Sequence, residues 1–551
     1  MLRQTREGSY VVRLPQAVAL AEAERLAAQP VEANSDIAYA EPDRILGPMV
    51  EHSNVTAQSV RPNFCDWDAM VHLTQAWTIT QGSPNVHIGV VDSGITAHHL
   101  LSRTMPGYDF VAQIGESGAQ DQGRDGDAAD PGDYVTASDL AAGDGLTSLE
   151  GCEVARSSWH GTAVAGLIGG DRDNVLGVSG VMQQGTVTPL RGTWRCGGNL
   201  SDIVDALLWA AGVTVPGVPS NPTPVQVINV SLGYAGACSQ FETSAYKQID
   251  DKGVTVLVAA GNDGGDSMNS APANCPRVIA VAASDTLGNL AAYSNRGANV
   301  AIMAPGGVAG APLPLISDLG VNGPLGDTVT YGQGTSFSVA WASGTAGLML
   351  AVNPTLKRDG IWQMLLYSGK PNTSCSGTCG GGVLDIARAV KLAKDGLYYA
   401  EAVFDFGAGY KVNEQPRQVA PFTNLSGAPI SIHSIALAGV DANHFTQLSD
   451  TCSGQTIADR QACEVTVKLT ATTAGLKDAE LILRTDTPSG EVRAKISADV
   501  QVASATGTGS TIPPESAGGG GGCTMAHANN AADISFIFLL MFLVRLRRRG
   551  Q

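Results

Sequence analysis

The sequence predicts an α/β domain, a parallel sheet with helices on both faces, followed by an all-β sandwich. Three observations carry this. Near-continuous apolar runs at Val86–Val91, Val225–Val230, Val254–Ala260 and Val278–Ala283 alternate with helical stretches such as Leu200–Ala211, and strands apolar at every position are those covered on both faces. Each run ends in turn or polar residues, Asp92-Ser93-Gly94, Ser231-Leu232-Gly233, Gly261-Asn262-Asp263-Gly264 and Ser284-Asp285, and sites in such sheets gather beyond the carboxyl ends of the strands. From Val403 to Val500 the period changes to two, as in Glu464–Leu469 and Ala479–Leu483, with Gly and Asn turns between.

Composition narrows the classes of function. The 551 residues, 44% hydrophobic, suffice for two to four domains and exclude wholesale disorder. With 66 glycines and 15% charged residues the chain is loop-rich. A net charge of −17 leaves nothing to offset phosphate repulsion, which argues against a dedicated nucleic-acid binder. The ten cysteines contain no CxxC pair, so zinc is disfavoured and disulfides in an oxidising compartment are expected.

From the N-terminus, Tyr10–Leu14 is β-branched and aromatic and reads as a strand. Gln16–Gln29 has the alanine and leucine content of a helix, and Ile37–Asp43 is a second strand ended by proline. This β-α-β piece is too small for a function of its own. No apolar signal segment comes after Met1, so export of the chain leads to the expectation that the natural start lies upstream. The parallel-sheet region runs from about Val86 to Lys394, and the β region after it suggests an immunoglobulin-like sandwich. Gly518–Gly522 is a flexible spacer. It leads to Cys523 and to the apolar stretch Ile534–Val544, whose 11 residues fall short of the roughly 20 that span a bilayer. Arg545, Arg547, Arg548 and Arg549 close the tail as on the cytoplasmic side of a marginal anchor. The competing reading is a buried C-terminal helix.

The polar residues at the strand ends fit one chemistry. Nucleophilic catalysis by serine needs a hydroxyl, an imidazole base, a carboxylate that orients it, and donors for the oxyanion. Asp92 follows a buried strand. His160 lies in Trp159–Gly166, whose small residues let a helix approach closely, and Ser336, in Gly334-Thr335-Ser336, precedes the small-residue helix Ser338–Leu348. Asn262 offers an amide to the oxyanion, beside the Ser336 backbone N–H at a helix start. Each motif alone is an ordinary turn, cap or loop. Their joint occurrence in the order Asp, His, Asn, Ser points to one site.

Across roughly residues 60 to 395 this set resembles the subtilisin-like serine proteases, the subtilases. The resemblance implies that Asp92 orients His160, that His160 acts as general base and then acid, that Ser336 attacks a peptide carbonyl, and that Asn262 stabilises the oxyanion, with no catalytic cofactor. It also implies that Ser231-Leu232-Gly233 pairs with extended substrate and that Ala259-Ala260-Gly261 walls the primary specificity pocket. Pro305-Gly306-Gly307 and Gly382-Val383-Leu384-Asp385 match subtilase positions as well. The helix after the serine departs from the family's Ser-Met-Ala-x-Pro-His: Ala340 stands for the proline and Trp341 for the histidine. Neither performs chemistry but both help position the serine, which leaves open a catalytically weak or inactive subtilase-fold surface protein acting in adhesion or binding.

By the same resemblance Cys152 pairs with Cys196, Cys238 with Cys275, Cys375 with Cys379 and Cys452 with Cys463, leaving Cys65 and Cys523. Within the acidic stretch Asp121–Asp133, residues Asp125, Asp127 and Asp130 are candidate ligands of a structural Ca²⁺ of the kind subtilases often bind; the spacing is not that of an EF-hand, and a solvated acidic loop is the alternative. The front piece, through Ala40-Glu41-Pro42-Asp43, resembles the end of an inhibitory propeptide cleaved between about Leu46 and Asn63, a retained extension being the alternative. Phe404–Gly407 and Thr423–Gly427 resemble bacterial surface Ig-like modules, and the tail resembles glycine-glycine sorting signals of Gram-negative bacteria, which a membrane protease removes. The expected organisation is a propeptide remnant (1–60), a catalytic domain (61–398), an Ig-like sandwich (399–502) and a linker with sorting segment (503–551). It describes an exported, envelope-sorted monomer that acts on proteins or peptides. Its partners are its own propeptide as inhibitor and a sorting protease, and no nucleic acid.

Overall fold

Strand interiors of Val, Ile and Leu set the architecture, because side chains alternate between two faces that are both covered. The computed structural model describes residues 3–501, except 6–8, 14–19, 34–36, 50–63, 113–122, 142–151, 173–176, 371, 373–374, 376–377, 396, 400–402, 425–428, 459–460 and 488–489, together with 541–546. After a two-residue strand at Arg3–Gln4, the chain forms β1 (Ser9–Arg13), α1 (Leu20–Ala33), β2 (Ile37–Pro42) and β3 (Ile45–Pro48). After these come β4 (Gly82–Asp92), β5 (Tyr108–Asp109), α2 (His160–Gly169), β6 (Gln184–Arg191), β7 (Gly198–Asn199) and α3 (Leu200–Ala210). Next are β8 (Val227–Val230), β9 (Leu232–Ala235), α4 (Gln240–Asp251), β10 (Thr255–Ala259), β11 (Val278–Ser284) and β12 (Val300–Pro305). The hairpin β13 (Leu313–Asp318) and β14 (Asp327–Gly332) leads into α5 (Thr335–Val352).

Seven strands form one sheet in the order β12-β11-β10-β8-β4-β6-β5, every pair parallel. The expected strands are all present, and β8 and β10 are buried at every position. Alternation divides their side chains between two cores. Ile88, Val90, Val227 and Leu257 pack with α2 and α5, whereas Val91, Ile228, Val256 and Val258 pack with α3 and α4. Small residues let α5 run through the middle: a Cβ at Gly347 would lie 2.8 Å from the Met182 sulfur and 2.9 Å from Ile88. Among the described residues, α5 is the only helix apolar and long enough to cross a membrane, and with 89% of that window buried it is a core helix.

Past α6 (Arg358–Ser368) and α7 (Ile386–Asp395) the described residues are β strands with one short 3-10 turn at Ala442–His444. One sheet has the order Leu397–Tyr399, Arg417–Asn424, Ala462–Leu469, Phe445–Asp450; the other has Val403–Lys411, Glu491–Gln501, Gly475–Thr485, Ile430–Ala438, Gln455–Ile457. Pairing is antiparallel except between Val403–Lys411 and Glu491–Gln501. The period-two reading of Glu464–Leu469 is met within the strand Ala462–Leu469: Cys463, Val465, Val467 and Leu469 are buried while their neighbours face out or lie half-buried. These residues join Phe422, Leu481 and Ile496 in a core continuous with that of the α/β unit.

The tail does not form the buried C-terminal helix of the competing reading. Met541–Leu546 is a strand, antiparallel to β1 on one side and β2 on the other. An extended apolar segment there supplies hydrogen-bond partners to two strand edges that would otherwise be open. The glycine spacer, Cys523 and the stretch to residue 540 lie outside the described residues.

Trp341 is fully buried in α5. We expect Trp341→Ala to cost about 3–5 kcal/mol, as large-to-small changes in a tight core do. Leu287→Ala, at a side chain 84% exposed, should change stability by less than about 0.5 kcal/mol. Guanidinium unfolding followed by circular dichroism measures both.

Candidate active site

Asp92 is the last residue of β4, and its main-chain carbonyl accepts from the N–H groups of Gly192 (2.8 Å) and Thr193 (3.2 Å). Its Oδ1 accepts from the Ser93 N–H at 2.8 Å and lies 2.7 Å from His160 Nδ1. His160 opens α2 behind Trp159, whose backbone is left-handed (φ 51°) and whose indole N–H donates to the Gly320 carbonyl at 2.8 Å. Helix and strand end approach so closely that a Cβ at Gly161 would collide with the Gly94 carbonyl. Both side chains are buried, and His160 Nε2 has no hydrogen-bond partner. A carboxylate at Nδ1 keeps the proton there, so Nε2 is the basic nitrogen.

Ser336 lies in the first turn of α5. Its hydroxyl donates to the Ser231 carbonyl at 3.0 Å, and its own carbonyl accepts from the Ser231 hydroxyl at 3.0 Å. Asn229 Nδ2 donates to that Ser231 hydroxyl (2.8 Å) and Ser343 to Asn229 Oδ1 (2.9 Å), which ties the first turn of α5 to the end of β8. Asn262 follows β10, and its Oδ1 accepts from the Thr335 N–H (3.1 Å) and hydroxyl (2.8 Å). Its buried Nδ2 has no partner. A buried donor left unpaired costs about 1–3 kcal/mol, so this amide is held ready for an acceptor that arrives from outside.

Beside this amide, a carbonyl of the chain's own N-terminal unit reaches the Ser336 N–H. β3 lies antiparallel between β9 and β7, pairing Pro48 with Leu232, Gly47 with Gly233, Ile45 with Asn199 and Leu46 with Gly198. Met49 donates its N–H to the Ser231 carbonyl (3.0 Å) and its carbonyl accepts the Ser336 N–H (3.2 Å). Its side chain lies against Gly233, where a Cβ would collide with it. Two carboxylates dock the same unit on helix N-termini, where backbone N–H groups and the helix dipole favour negative charge. Glu41 accepts from Gln240 (3.1 Å) and Phe241 (2.8 Å) at the start of α4, and Asp43 from the Ser201 N–H (2.8 Å) and hydroxyl (2.6 Å) at the start of α3.

Ser231, Leu232 and Gly233 thus line the groove, and Ala259, Ala260 and Gly261 sit at the end of β10 beside Asn262, the Gly261 N–H reaching Thr335 Oγ1 at 3.3 Å. The acidic residues do not converge as ligands. Asp125 Oδ1 accepts from the Asp127 N–H and Asp127 Oδ1 from the Ala129 N–H, while Asp130 turns inward to the Ser93 hydroxyl (2.7 Å) and the Gly132 N–H (2.8 Å). Their carboxylates hold their own loop and the Ser93 hydroxyl. Burial and the Asp133 charge push the Asp130 carboxyl up to about 7. Disulfides join Cys152 to Cys196, Cys238 to Cys275, Cys375 to Cys379 and Cys452 to Cys463. Sequence reasoning missed β7, the second wall of the groove; its Gly198-Asn199 carries no strand signal. It also missed Thr335, whose part depends on Asn262 arriving from a distant loop.

A family model described as the subtilase family matches residues 83–382. The chain is 36% identical over 405 residues to an extracellular protease of Xanthomonas campestris pv. campestris, covering 72% of this chain and 66% of that protein. It is 31% identical over 395 residues to an extracellular basic protease of Dichelobacter nodosus, covering 71% and 64%. The chain thus spans just under two thirds of the length of these curated relatives. A solved protease structure from Pseudoalteromonas arctica is 34% identical with a TM-score of 0.56, covering 61% of this chain and 100% of that one.

Burial, aided by the Glu242 charge, holds the Glu41 carboxyl above its ordinary value, against the pull of its two N–H bonds. The docked form therefore binds the proton better than the free form. Docking is fullest below the ordinary carboxyl range and weakens as pH rises through the raised value. In a chain carrying Ser336→Ala and cut by a specific protease within 50–63, the N-terminal unit should leave faster at about pH 7 than at about pH 4. Gel filtration across that range measures it, and Glu41→Gln should flatten the dependence.

Proposed function

The chain belongs to the subtilase family, and on that premise we propose that it is an exported serine endopeptidase made as a zymogen. The observation that carries the reading is the Met49 carbonyl on the Ser336 N–H, with an unpartnered amide of Asn262 and an unpartnered His160 Nε2 in the same site. A peptide bound as Leu46–Met49 is bound presents its carbonyl to the serine hydroxyl. Ser336 Oγ attacks that carbon as His160 Nε2 takes its proton, and Asp92 holds the imidazolium that forms. The Ser336 N–H and Asn262 Nδ2 carry the oxyanion charge in a site closed to water. Collapse expels the amine, protonated by His160, and leaves an acyl ester that water hydrolyses by the same steps in reverse.

In this reading the N-terminal unit is the inhibitory propeptide and Met49–Val50 is the bond that releases it. Export fits four disulfides, which persist in oxidising compartments, and relatives described as extracellular. The glycine spacer and terminal arginines suit sorting to a Gram-negative envelope by a membrane protease, and the C-terminal β-unit then serves as an Ig-like spacer or surface binder.

A fluorophosphonate probe should label Ser336 once the N-terminal unit has gone, Ser336→Ala should abolish casein cleavage, and the mature N-terminus by mass should be Val50. Asn262→Ala should lower kcat by about 100- to 1000-fold, the cost of an oxyanion donor. Absence of labelling would favour the adhesion or binding reading, in which Ala340 and Trp341 accompany a silent site.

A further inference from the structure

The acidic segment Asp130–Asp133 takes no part in bond cleavage by Ser336, yet it is built into the ground on which His160 stands. α2 begins with no side-chain cap from Trp159, so its first N–H groups need acceptors from elsewhere. Two serine hydroxyls provide them: Ser93 Oγ accepts the Gly161 N–H at 3.1 Å and Ser158 Oγ accepts the His160 N–H at 3.3 Å. Each hydroxyl is fixed by an aspartate of the segment, Ser93 by Asp130 Oδ2 at 2.7 Å and Ser158 by Asp133 Oδ2 at 2.6 Å.

The Ser93 relay is the tighter one, since Ser93 and Asp130 are both buried. A hydroxyl has one hydrogen and two lone pairs. Donating that hydrogen to Asp130 turns a lone pair toward Gly161, the residue after His160. The Ser93 N–H meanwhile holds Asp92 Oδ1. Asp130 is itself immobilised by the Gly132 N–H on Oδ1 and by its own N–H on the Ile95 carbonyl at 2.9 Å. One residue thereby grips both members of the Asp92–His160 pair, and one buried carboxyl keeps that residue in register.

We propose that Ser93 and Asp130 are positioning residues for the His160–Asp92 pair, acting on the rate of the chemical step. The proposal rests on the reading of Asp92, His160 and Ser336 as the reacting set. The test uses the mature protein and its Ser93→Ala, Asp130→Ala, Asp130→Asn and Ser93→Ala/Asp130→Ala variants. kcat and KM are measured on a peptide anilide per active site titrated with a fluorophosphonate.

Misplacement of a reacting group lowers kcat and leaves ground-state binding alone, so Ser93→Ala should lose roughly 10- to 100-fold in kcat per site with KM within about twofold. The double variant should be no worse than the worse single one, because both changes cut one relay. Asp130→Asn, which keeps an acceptor for the Ser93 hydroxyl, should recover most of the rate. Where Asp130→Ala fails to mature, Ser93→Ala and Asp130→Asn carry the comparison. The proposal is overturned by Ser93→Ala with wild-type kcat per site, by additive losses in the double variant, or by a loss confined to the number of titratable sites. A wild-type protein that neither labels nor cleaves overturns the protease reading instead.

Discussion

The hydrogen bond between Asp92 Oδ1 and His160 Nδ1, 2.7 Å long and closed to solvent, constrains more of this molecule than any other contact in the site. It requires the end of a central strand and the first residue of a helix to meet within one side chain's reach. Three features of the sequence answer that demand. Gly161 is bare so that α2 can press against the Gly94 carbonyl, Trp159 accepts a left-handed backbone to turn the chain into the helix, and the residues after His160 stay small. The polar neighbours at Ser93, Ser158, Asp130 and Asp133 tie the backbone on both sides of the pair.

The groove obeys a different logic. Its walls, β9 and β7, are open backbone edges, and the protein closes them with its own β3. Main-chain pairing gives such a segment affinity with little demand on side chains. The distant anchors Glu41 and Asp43 add to it by hydrogen bonds on two helix N-termini. The serine hydroxyl meanwhile points to the Ser231 carbonyl while His160 Nε2 stands unpartnered.

Much of the fold was legible because burial on two faces leaves a plain mark: Val227–Val230 and Thr255–Ala259 read as strands from composition alone. The residues of the site were legible because their flanks are demanding, as the close contact at Gly161 illustrates. What stayed hidden depended on partners far apart in the chain. Asp130 reads as one acid among several, and only its pairing with Ser93, 37 residues away, separates it from the exposed Asp127. β7 is two residues long and gains its strand character from β3 alongside. The terminal Met541–Leu546 carries an apolar composition that fits a membrane or a sheet equally, and its pairing with the edges of β1 and β2 depends on strands more than 490 residues away in the chain.

If the N-terminal unit is the propeptide proposed above, the occupied groove has a consequence for timing. While Met49 is still joined to Val50, the blocking segment faces its groove at an effective concentration on the order of millimolar, as short tethers impose. Once that bond is cut, the same contacts hold only as tightly as the surrounding concentration allows. A crowded compartment keeps the severed pair together, and dilution into open medium separates it. On that proposed reading volume itself becomes a signal, read by a strand of four residues and one carbonyl.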